Sequence, residues 1–385
     1  MFDARIVPQY IVRESRRMNV SDFDFELPDE LIAQDAAPRG TSRLLVLDPA
    51  TGDVRHGSVA DLPSILRAGD LLVVNNTLVF AARLLGHRVP SGGAVECLLL
   101  ATAPPDSGVA AEPPGSGMAT EQHGRTQIWD CLMHPGQKLK PGARVRFEGP
   151  AGALTAEVIA RHFHGRRTIR LWPETGGGVE TLIDALGHMP LPPYIKRADT
   201  FSDRERYQTV FARVRGSVAA PTAGLHFTPD LLAALERAGV ERTEITLHVG
   251  YGTFKPVRVE RVEDHVVDPE HYEIAAEAAA AITRARKEGR RVIAVGTTTT
   301  RALEDAAMRG GGRVTAGPGT ASMFIYPGHE FQAIDALLTN FHLPSSSLLM
   351  LVAAFAGTEK VLAAYREAVE RRYRFYSYGD AMLIL

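Results

Sequence analysis

The sequence predicts an α/β body that carries a small inserted all-β barrel domain, and three observations lead to this fold class. Between residues 69 and 173 the chain contains seven short strand-like runs separated by Gly, Pro and Asn turns, a pattern typical of a small barrel. From residue 174 onward, strand-like and helical runs alternate, which indicates an α/β arrangement. Before residue 69, the segment SRLLVLDPATGDVRHGSV predicts a hairpin that turns at Pro49–Gly52.

The body is therefore predicted to be discontinuous, with residues 1–68 and 174–385 on either side of a barrel at residues 69–173. A chain of 385 residues is long enough for two domains with their own cores, because domains usually contain roughly 100–200 residues. Residues 102–124, between two barrel strands, are rich in Pro, Gly, Ala and Ser. This composition predicts a disordered loop.

Charge and cysteine content exclude several classes of protein. The net charge of −2 gives no overall basic signal for nucleic acid, although a local basic face is compatible with it. The two cysteines, Cys97 and Cys131, form no CxxC pair and no disulfide framework, which favours a reduced cytoplasmic setting. No apolar run reaches the roughly 18 residues of a membrane-spanning helix. We therefore expect a soluble, cytoplasmic monomer without membrane contact.

Residues 217–257 contain a predicted turn, helix and strand that surround two histidines. The segment AAPTAGLHF, which includes His226, is rich in small residues, so its backbone can approach a ligand closely. Thr228 is predicted to cap a helix that begins at Pro229. The strand ITLHV, which includes His248, ends in a glycine-rich turn. Polar groups at such a strand end are typical of a ligand site in an open α/β sheet.

A second candidate site follows the apolar run RVIAV, where Gly296, four threonines and Arg301 stand at the start of a helix. Free backbone N–H groups and hydroxyls at a helix N-terminus suit a carboxylate or a phosphate. The Walker A pattern GxxxxGK[ST] is missing, so this turn is not a P-loop. A threonine-rich helix cap without a ligand is the alternative.

Two further segments leave alternatives open. In TNFHLP, Asn340 and His342 stand at a turn, where a histidine can be either a hydrogen-bonded structural residue or a proton carrier. In RRYRFYSYGDAM, arginines and aromatic residues suit RNA, but a helix end that packs its rings on the body fits equally. The sequence has no HExxH or Cys/His zinc pattern and no GxGxxG after a strand. These absences argue against a metal site and a Rossmann nucleotide site.

Nine sequence blocks together resemble a known family. In chain order they are GDLLVVNNT, GHMPLPPYI, YQTVF, GSVAAPTAGLHF, LHVGYGTFKPV, VIAVGTTTTRALE, FIYPG, TNFHLP and YRFYSYGDAM. They are similar to the S-adenosylmethionine:tRNA ribosyltransferase-isomerase family of queuosine biosynthesis. The resemblance covers about residues 22–385, apart from the insert near 102–124.

The resemblance implies a reaction as well as the fold. The ribosyl moiety of S-adenosylmethionine would be transferred and isomerised onto 7-aminomethyl-7-deazaguanine at the tRNA wobble position, giving epoxyqueuosine tRNA with release of adenine and methionine. S-adenosylmethionine would be a co-substrate, and the partner would be tRNA that carries the modified base. No permanently bound cofactor or metal would be required. A sulfonium acidifies the adjacent C5′ hydrogens, so a modest general base could start the expulsion of adenine.

The positions that match the family's blocks supply the candidate site residues. The possible proton carriers are His226, His248 and His342, because a neutral imidazole near pH 7 fits this task. The nucleoside pocket would be shaped by Tyr251, Gly252, Thr253 and Phe254. The methionine carboxylate or an RNA phosphate would be held by Thr297, Thr298, Thr299 and, through a bidentate grip, Arg301. Asn340 would orient a sugar hydroxyl. Which histidine is the base stays open.

Three positions depart from the family's pattern. Leu78 stands where NNTRV has arginine, Asp268 replaces a second histidine three positions after His265, and Thr320-Ala321 replaces an Asp-Thr pair. Leucine cannot replace the charge and the hydrogen bonds of an arginine that binds phosphate. Two alternatives therefore stay open. One is a paralogous S-adenosylmethionine-dependent transferase or cleaving enzyme that acts on a small nucleoside, and the other is a non-catalytic RNA-binding module.

Overall fold

A computed structural model of the chain describes residues 17–102, 126–174 and 176–385. The predicted disordered loop at 102–124 lies outside the described residues, except for its first residue. The strands are β1 (Arg43–Leu47), β2 (Val54–Ser58), β3 (Leu71–Asn75), β4 (Thr77–Val79), β5 (Arg83–Val89), β6 (Ala94–Thr102), β7 (Gln127–His134), β8 (Arg144–Gly149), β9 (Gly152–Arg161), β10 (Arg166–Pro173), β11 (Val214–Ser217), β12 (Glu241–Leu247), β13 (Glu270–Ile274), β14 (Val292–Val295), β15 (Gly317–Ala321), β16 (Ala336–Asn340) and β17 (Ala381–Ile384). The α-helices are α1 (Leu62–Ile65), α2 (Val179–Leu186), α3 (Asp203–Arg206), α4 (Pro229–Arg237), α5 (Ala276–Lys287), α6 (Thr297–Arg309), α7 (Ser347–Ala356) and α8 (Thr358–Glu370).

A mixed sheet of nine strands forms the body, in the order β15-β13-β12-β3-β14-β16-β17-β1-β2. The neighbouring strands β12, β3, β14 and β16 run parallel, so their carboxyl ends meet at one edge of the sheet. Strands β3 and β14 are fully buried, because the runs LLVVN and VIAV present apolar side chains to both faces. Helices α5 to α8 pack on one face, and α1 and α4 pack on the other.

Six antiparallel strands form a closed barrel in the order β10-β7-β6-β5-β8-β9. Its core is apolar and includes Leu84, Leu99 and Phe147 together with both cysteines, which are free and buried. The predicted fold class, an α/β body with an inserted all-β barrel, is therefore confirmed.

The predicted start of the barrel at residue 69 is wrong, because two strands after it lie outside the barrel. The run at residues 71–75, which the sequence analysis assigned to the barrel, pairs in parallel with β12 and β14 and belongs to the body sheet. Strand β4 also lies outside the barrel, in a two-stranded parallel sheet with β11. A short apolar run has the same appearance in a barrel and in a sheet. Its parallel partners lie far along the chain, so local spacing could not assign it.

The two ends of the barrel differ in their surroundings. The chain enters at the start of β5 and leaves at the end of β10, so this end adjoins the body. There, α2 contributes Leu182 and Ile183 to the barrel core. We call the opposite end the distal end and define it as residues 89–94, 134–144 and 161–167, the three connections β5–β6, β7–β8 and β9–β10 with their flanking residues.

The aromatic residues of RRYRFYSYGDAM are core residues. Tyr373, Phe375, Tyr376 and Tyr378 are all buried, and the Phe375 ring lies 5.1 Å from that of Phe341. The packing alternative therefore holds for Tyr373, Phe375 and Tyr378, whereas Tyr376 also lines a pocket at the edge of the body sheet.

Among the described residues, no single helix is long and apolar enough to cross a membrane. Helices α7 and α8 meet the length and composition criteria only together, and they are bent by 116° relative to each other.

Candidate functional site

A pocket opens at the edge where the parallel strands end, and we call it the edge pocket. The residues around it come from segments that are distant in sequence but follow directly on β14, β16, β12 and β11. They are Ala220, Pro221, Thr222, Ala223, Val249, Thr253, Gly296, Thr297, Thr298, Thr339, Asn340, His342, Leu348, Tyr376 and Ser377. Ligands in open α/β sheets bind at this edge, because the loops after parallel strands converge there.

The N-terminus of α6 forms one wall of the edge pocket. Gly296 precedes the helix with φ +94°, a backbone conformation that side chains with a Cβ rarely adopt, and it lets the chain turn sharply from β14 into α6. Thr297 and Thr298 line the pocket, and no acidic side chain lies in the first turn of the helix. The first turn of a helix presents free N–H groups and a partial positive charge. This wall therefore suits a carboxylate.

Thr299 does not share this position. Its Oγ1 donates a hydrogen bond to the carbonyl oxygen of Val295 at 2.8 Å, and the residue is fully buried. Thr300 makes the equivalent bond to Gly296. Of the three threonines expected to bind an anion, the structure thus brings two to the pocket and directs the third into the body, where its hydroxyl is already satisfied.

Arg301 is held by the protein itself. Its Nη1 donates to Glu270 Oε2 at 2.8 Å, its Nη2 to the carbonyl oxygens of Ala321 and Asp268, and its Nε to that of Met323. The expected bidentate grip on an anion is therefore not available, because neither parallel pair of N–H groups is free. Burial raises the pKa of the Glu270 carboxyl, against the opposing effect of Arg301. Arg301 and Glu270 form a buried ion pair beneath a neighbouring cleft.

His342 lines the edge pocket directly after β16. Its Nε2 lies 2.9 Å from Thr339 Oγ1, and its backbone N–H donates to the Tyr365 hydroxyl at 3.1 Å. The residue is 5% exposed, and burial lowers its pKa to about 3. The imidazole is consequently neutral at pH 7, and its Nδ1 makes no hydrogen bond with the described part of the chain.

His226 and Asn340 lie side by side behind the pocket wall. His226 ends the 3-10 helix Thr222–His226, and its Nδ1 is 3.0 Å from Ser42 Oγ. Burial lowers the pKa of His226 to about 4, against smaller opposing effects of Asp380 and Asn340. Asn340 donates through Nδ2 to the Tyr376 carbonyl oxygen at 2.9 Å. Within the described ranges, Nε2 of His226 and Oδ1 of Asn340 have no partner other than each other, and the effect of Asn340 on the His226 pKa is that of a side-chain hydrogen bond between them. The Asn340 amide is therefore held from both sides by the protein.

His248 belongs to a different cleft, on the other side of β12, together with His271 and Thr320. Its Nδ1 is 2.9 Å from Thr77 Oγ1, and burial lowers its pKa, with His271 acting in the same direction. A Cβ at Gly216 would lie 2.5 Å from the His248 ring, so the ring packs directly on backbone. The structure therefore separates His248 from His226 and His342.

The four residues expected to shape a nucleoside pocket form the 3-10 helix Tyr251–Phe254. Thr253 lines both the edge pocket and the neighbouring cleft, and its hydroxyl donates to Glu270 Oε1 at 3.3 Å. Gly252 lines the neighbouring cleft and packs against Asp268. Tyr251 packs against the barrel core. The short helix thus connects the edge pocket with the barrel.

Sequence reasoning missed Glu270 and the polar group around Thr77. Thr77 Oγ1 lies 2.8 Å from Ser217 Oγ, and the Ser217 hydroxyl accepts from the Val249 N–H at 2.7 Å. Thr77 could have been found, because it follows the apolar run LLVVNN at a strand end. Glu270 carried a weaker signal: alternation in the strand EHYEI places it on the same face as Tyr272 and Ile274, which is the buried face.

The three departures from the family pattern lie outside the edge pocket. Leu78 pairs with Arg215 in the two-stranded sheet of β4 and β11. Asp268 Oδ2 is 2.6 Å from Lys255 Nζ, and Thr320 Oγ1 is 3.0 Å from His271 Nδ1. In the three ranges that the structure describes, no group of three or more His, Cys, Asp or Glu side chains is placed to hold a metal ion.

The fold and the pocket define a class of protein: an α/β protein with a barrel insertion and a ligand site at the carboxyl edge of its parallel strands. Residues 20–384 match the family described as Queuosine biosynthesis protein, and the chain belongs to this family.

Two curated relatives carry the name S-adenosylmethionine:tRNA ribosyltransferase-isomerase. The protein from Heliobacterium modesticaldum is 51% identical over 369 residues, 96% of this chain and 100% of the relative. The protein from Anaeromyxobacter sp. is 51% identical over 368 residues, 95% of this chain and 99% of the relative. The crystal structure of S-adenosylmethionine tRNA ribosyltransferase from Thermotoga maritima is similar with a TM-score of 0.50 and 36% identity, covering 95% of this chain and 100% of that chain.

Proposed function

We propose that this chain transfers and isomerises the ribosyl moiety of S-adenosylmethionine onto 7-aminomethyl-7-deazaguanine at the tRNA wobble position. The products are epoxyqueuosine tRNA, adenine and methionine. Membership of the queuosine biosynthesis family and the names of near full-length relatives support this function. In the structure, one observation carries it: a helix N-terminus and a neutral imidazole line the same pocket at the carboxyl edge of the parallel strands.

The α6 wall binds the methionine end of the co-substrate. The carboxylate of S-adenosylmethionine lies at the first turn of α6, where Thr297 and Thr298 add hydroxyl donors to the backbone N–H groups. Asn340 lies beside the ribosyl group, because it lines the pocket and its amide is fixed by the Tyr376 carbonyl oxygen. His226 lies beside Asn340 and positions it.

His342 is the proton acceptor. When its Nε2–H donates to Thr339 Oγ1, Nδ1 carries the lone pair, and this nitrogen lacks a protein partner among the described residues. The sulfonium makes the C5′ hydrogen acidic, so Nδ1 removes it as a proton and the electrons left on C5′ drive the expulsion of adenine. The aminomethyl group of the tRNA base then attacks the activated sugar, and methionine departs as the epoxide closes. Burial keeps the imidazole unprotonated at pH 7.

Arg301 acts as a positioning residue in this proposal. Its ion pair with Glu270 fixes the segment that leads to β13, and Glu270 also contacts Thr253 and the Gly250 N–H. The pair therefore shapes the Tyr251–Phe254 turn beside the pocket.

Release of adenine from S-adenosylmethionine tests the proposal. We expect release when tRNA carrying 7-aminomethyl-7-deazaguanine is supplied, and none with the same tRNA carrying guanine or with S-adenosylmethionine alone. Adenine release with a small nucleoside acceptor but not with the modified tRNA would select the paralogous enzyme instead. The positions of Leu78, Asp268 and Thr320 outside the edge pocket favour the tRNA reaction. Failure to bind S-adenosylmethionine would exclude both the tRNA reaction and the paralogous enzyme.

A further inference from the structure

The distal end of the barrel is strongly basic. Its three segments contain six Lys or Arg residues and three histidines, but no Asp or Glu. Two of the six are committed within the protein: Arg144 lies 3.7 Å from Glu157, and the buried Arg167 donates to the carbonyl oxygens of Leu139 and Gly136. The other four make no ion pair with any described residue, and all of them are exposed: Lys138, Lys140, Arg161 and Arg166. The whole chain has a net charge of −2, so this surface is a local concentration of positive charge.

An exposed aromatic ring stands in the middle of these charges. Phe163 is 88% exposed at the tip of the β9–β10 connection, between His162 and His164. His164 has φ 54°, the left-handed conformation that closes this tight turn. A single exposed apolar ring is common on protein surfaces, and what distinguishes Phe163 is the group of exposed cations around it.

Arg167 makes this surface rigid. By bonding to Gly136 and Leu139, its buried guanidinium fixes the β7–β8 connection against the β9–β10 hairpin. The lysines of one connection and the aromatic tip of the other are thus presented together. A preorganised surface loses less conformational entropy when it binds.

We propose that the distal end of the barrel is a docking surface for the RNA substrate, with Phe163 stacking on an unpaired base and Lys138, Lys140, Arg161 and Arg166 contacting phosphates. Positive side chains around an exposed ring match the two parts of a single-stranded or looped RNA, its phosphates and its base faces. This inference rests on the proposed function for the identity of the RNA as tRNA.

The docking surface lies away from the chemistry. The barrel strands contain six to ten residues and rise about 3.3 Å per residue, so they separate the distal end from the body by roughly 20 Å. A nucleotide in the edge pocket and a base on Phe163 are therefore different parts of one RNA molecule. The distal end contributes affinity and orientation, and it leaves the bond-making steps to the body.

Binding of fluorescently labelled tRNA, measured by anisotropy with the full chain, tests the docking surface. Phe163→Ala should weaken tRNA binding by about tenfold, because stacking on an aromatic side chain is lost. Lys140→Ala should reduce the slope of log affinity against log salt concentration by about 0.7–0.9, the contribution of one phosphate contact. The matched controls are Phe201→Ala, an 89% exposed ring on the body, and Lys287→Ala, an exposed lysine on α5. Both controls should bind tRNA like the unmodified protein.

Unchanged tRNA affinity in Phe163→Ala, or equal losses in the controls, would overturn the proposal. So would a Phe163-dependent attachment to phosphatidylcholine–phosphatidylserine vesicles together with unchanged tRNA binding. Phe163→Ala should raise the KM for tRNA by a similar factor, and Phe201→Ala should leave both the KM and the turnover number unchanged. If tRNA binding depends on Phe163 but no adenine is released, the docking surface is supported and the proposed function is wrong. If adenine is released but tRNA binding does not depend on Phe163, the proposed function is supported and the docking surface is wrong.

Discussion

The edge pocket and the distal end of the barrel have opposite physical properties. In the pocket, polar groups are buried and His342 is held neutral. At the distal end, charged side chains and one aromatic ring are exposed to water. The contrast indicates that proton transfer and RNA docking are assigned to different domains. A proton acceptor benefits from a site that excludes water, whereas phosphate contacts form from solvated cations at little cost.

The largest effect is expected from the proton acceptor. His342→Asn should lower the turnover number for adenine release by about 10²–10⁴-fold, because general-base catalysis contributes this much. Tight binding of tRNA should persist, since the residue is distant from the docking surface. Steady-state kinetics with modified tRNA measures the effect. The control is His271→Asn in the separate cleft, which should retain turnover. Near-normal activity in His342→Asn would assign the proton transfer to another group and weaken the contrast between the two regions.

The next effect concerns stability instead of turnover. Arg301→Ala should lower the free energy of unfolding by about 3–5 kcal/mol, because it leaves the buried Glu270 carboxylate without its partner. Urea unfolding measures the change, and adding Glu270→Gln to this variant should restore part of the loss.

Arg309→Ala on the same helix is the matched control. The Arg309 side chain is 49% exposed and lies 3.7 Å from Asp305, so the loss should stay below about 1 kcal/mol. If Arg301→Ala were as stable as this control but bound S-adenosylmethionine poorly, the anion-binding role expected from the sequence would be restored.

Acid should destabilise the protein through its buried histidines. The pKa of His342 is about 3 and that of His226 about 4 in the folded chain, against about 6.5 when unfolded. Below pH 6.5 the unfolded state binds more protons, so stability falls as the pH drops from about 6.5 towards 4. Each histidine contributes a slope of up to about 1.4 kcal/mol per pH unit. Unfolding curves at several pH values test this, and His342→Asn should have the smaller slope. An equal slope in the variant would contradict the burial argument.

The smallest expected effect is a difference in S-adenosylmethionine binding between variants of two neighbouring threonines. Thr298→Val should weaken S-adenosylmethionine binding by up to about tenfold, the value of one hydrogen bond of about 0.5–1.5 kcal/mol. Thr299→Val should leave it unchanged, because that hydroxyl bonds to Val295 and not to a ligand. Titration calorimetry compares the two. Neither variant should alter the salt dependence of tRNA binding. Equal losses in both would indicate a change in helix geometry and not a lost ligand contact.

Patterns with a local physical cause were predictable from the sequence. The six barrel strands follow from alternating residues between turns, and the start of α4 follows from Thr228, whose side chain caps the Leu231 N–H. Strand β3 was assigned to the wrong sheet because its partners are remote in sequence.

For the edge pocket, the residue types predicted which segments lie near it but not which side chains point into it. Thr298 and Thr299 are adjacent and chemically identical, yet one lines the pocket and the other bonds to the backbone. Arg301 looked free because Glu270, its partner, lies 31 residues away. Aromatic residues among arginines drew attention to the segment around Phe375, which is buried, and not to Phe163, which is exposed. Exposure depends on tertiary packing, which spacing in one sequence does not reveal.

The central position of β17 has a consequence for the synthesis of this protein. Strand β17 lies between β16 and β1, and Arg43 at the start of β1 is hydrogen-bonded to Asp380, 337 residues later. At roughly 5–20 residues per second, a ribosome needs from about 20 seconds to about a minute to make the chain between them. During that time the apolar strand β1 has its hairpin partner β2 but lacks its inner neighbour. The nascent body is therefore open on this side until β17 has been made, while the barrel, whose six strands are contiguous in sequence, can close earlier.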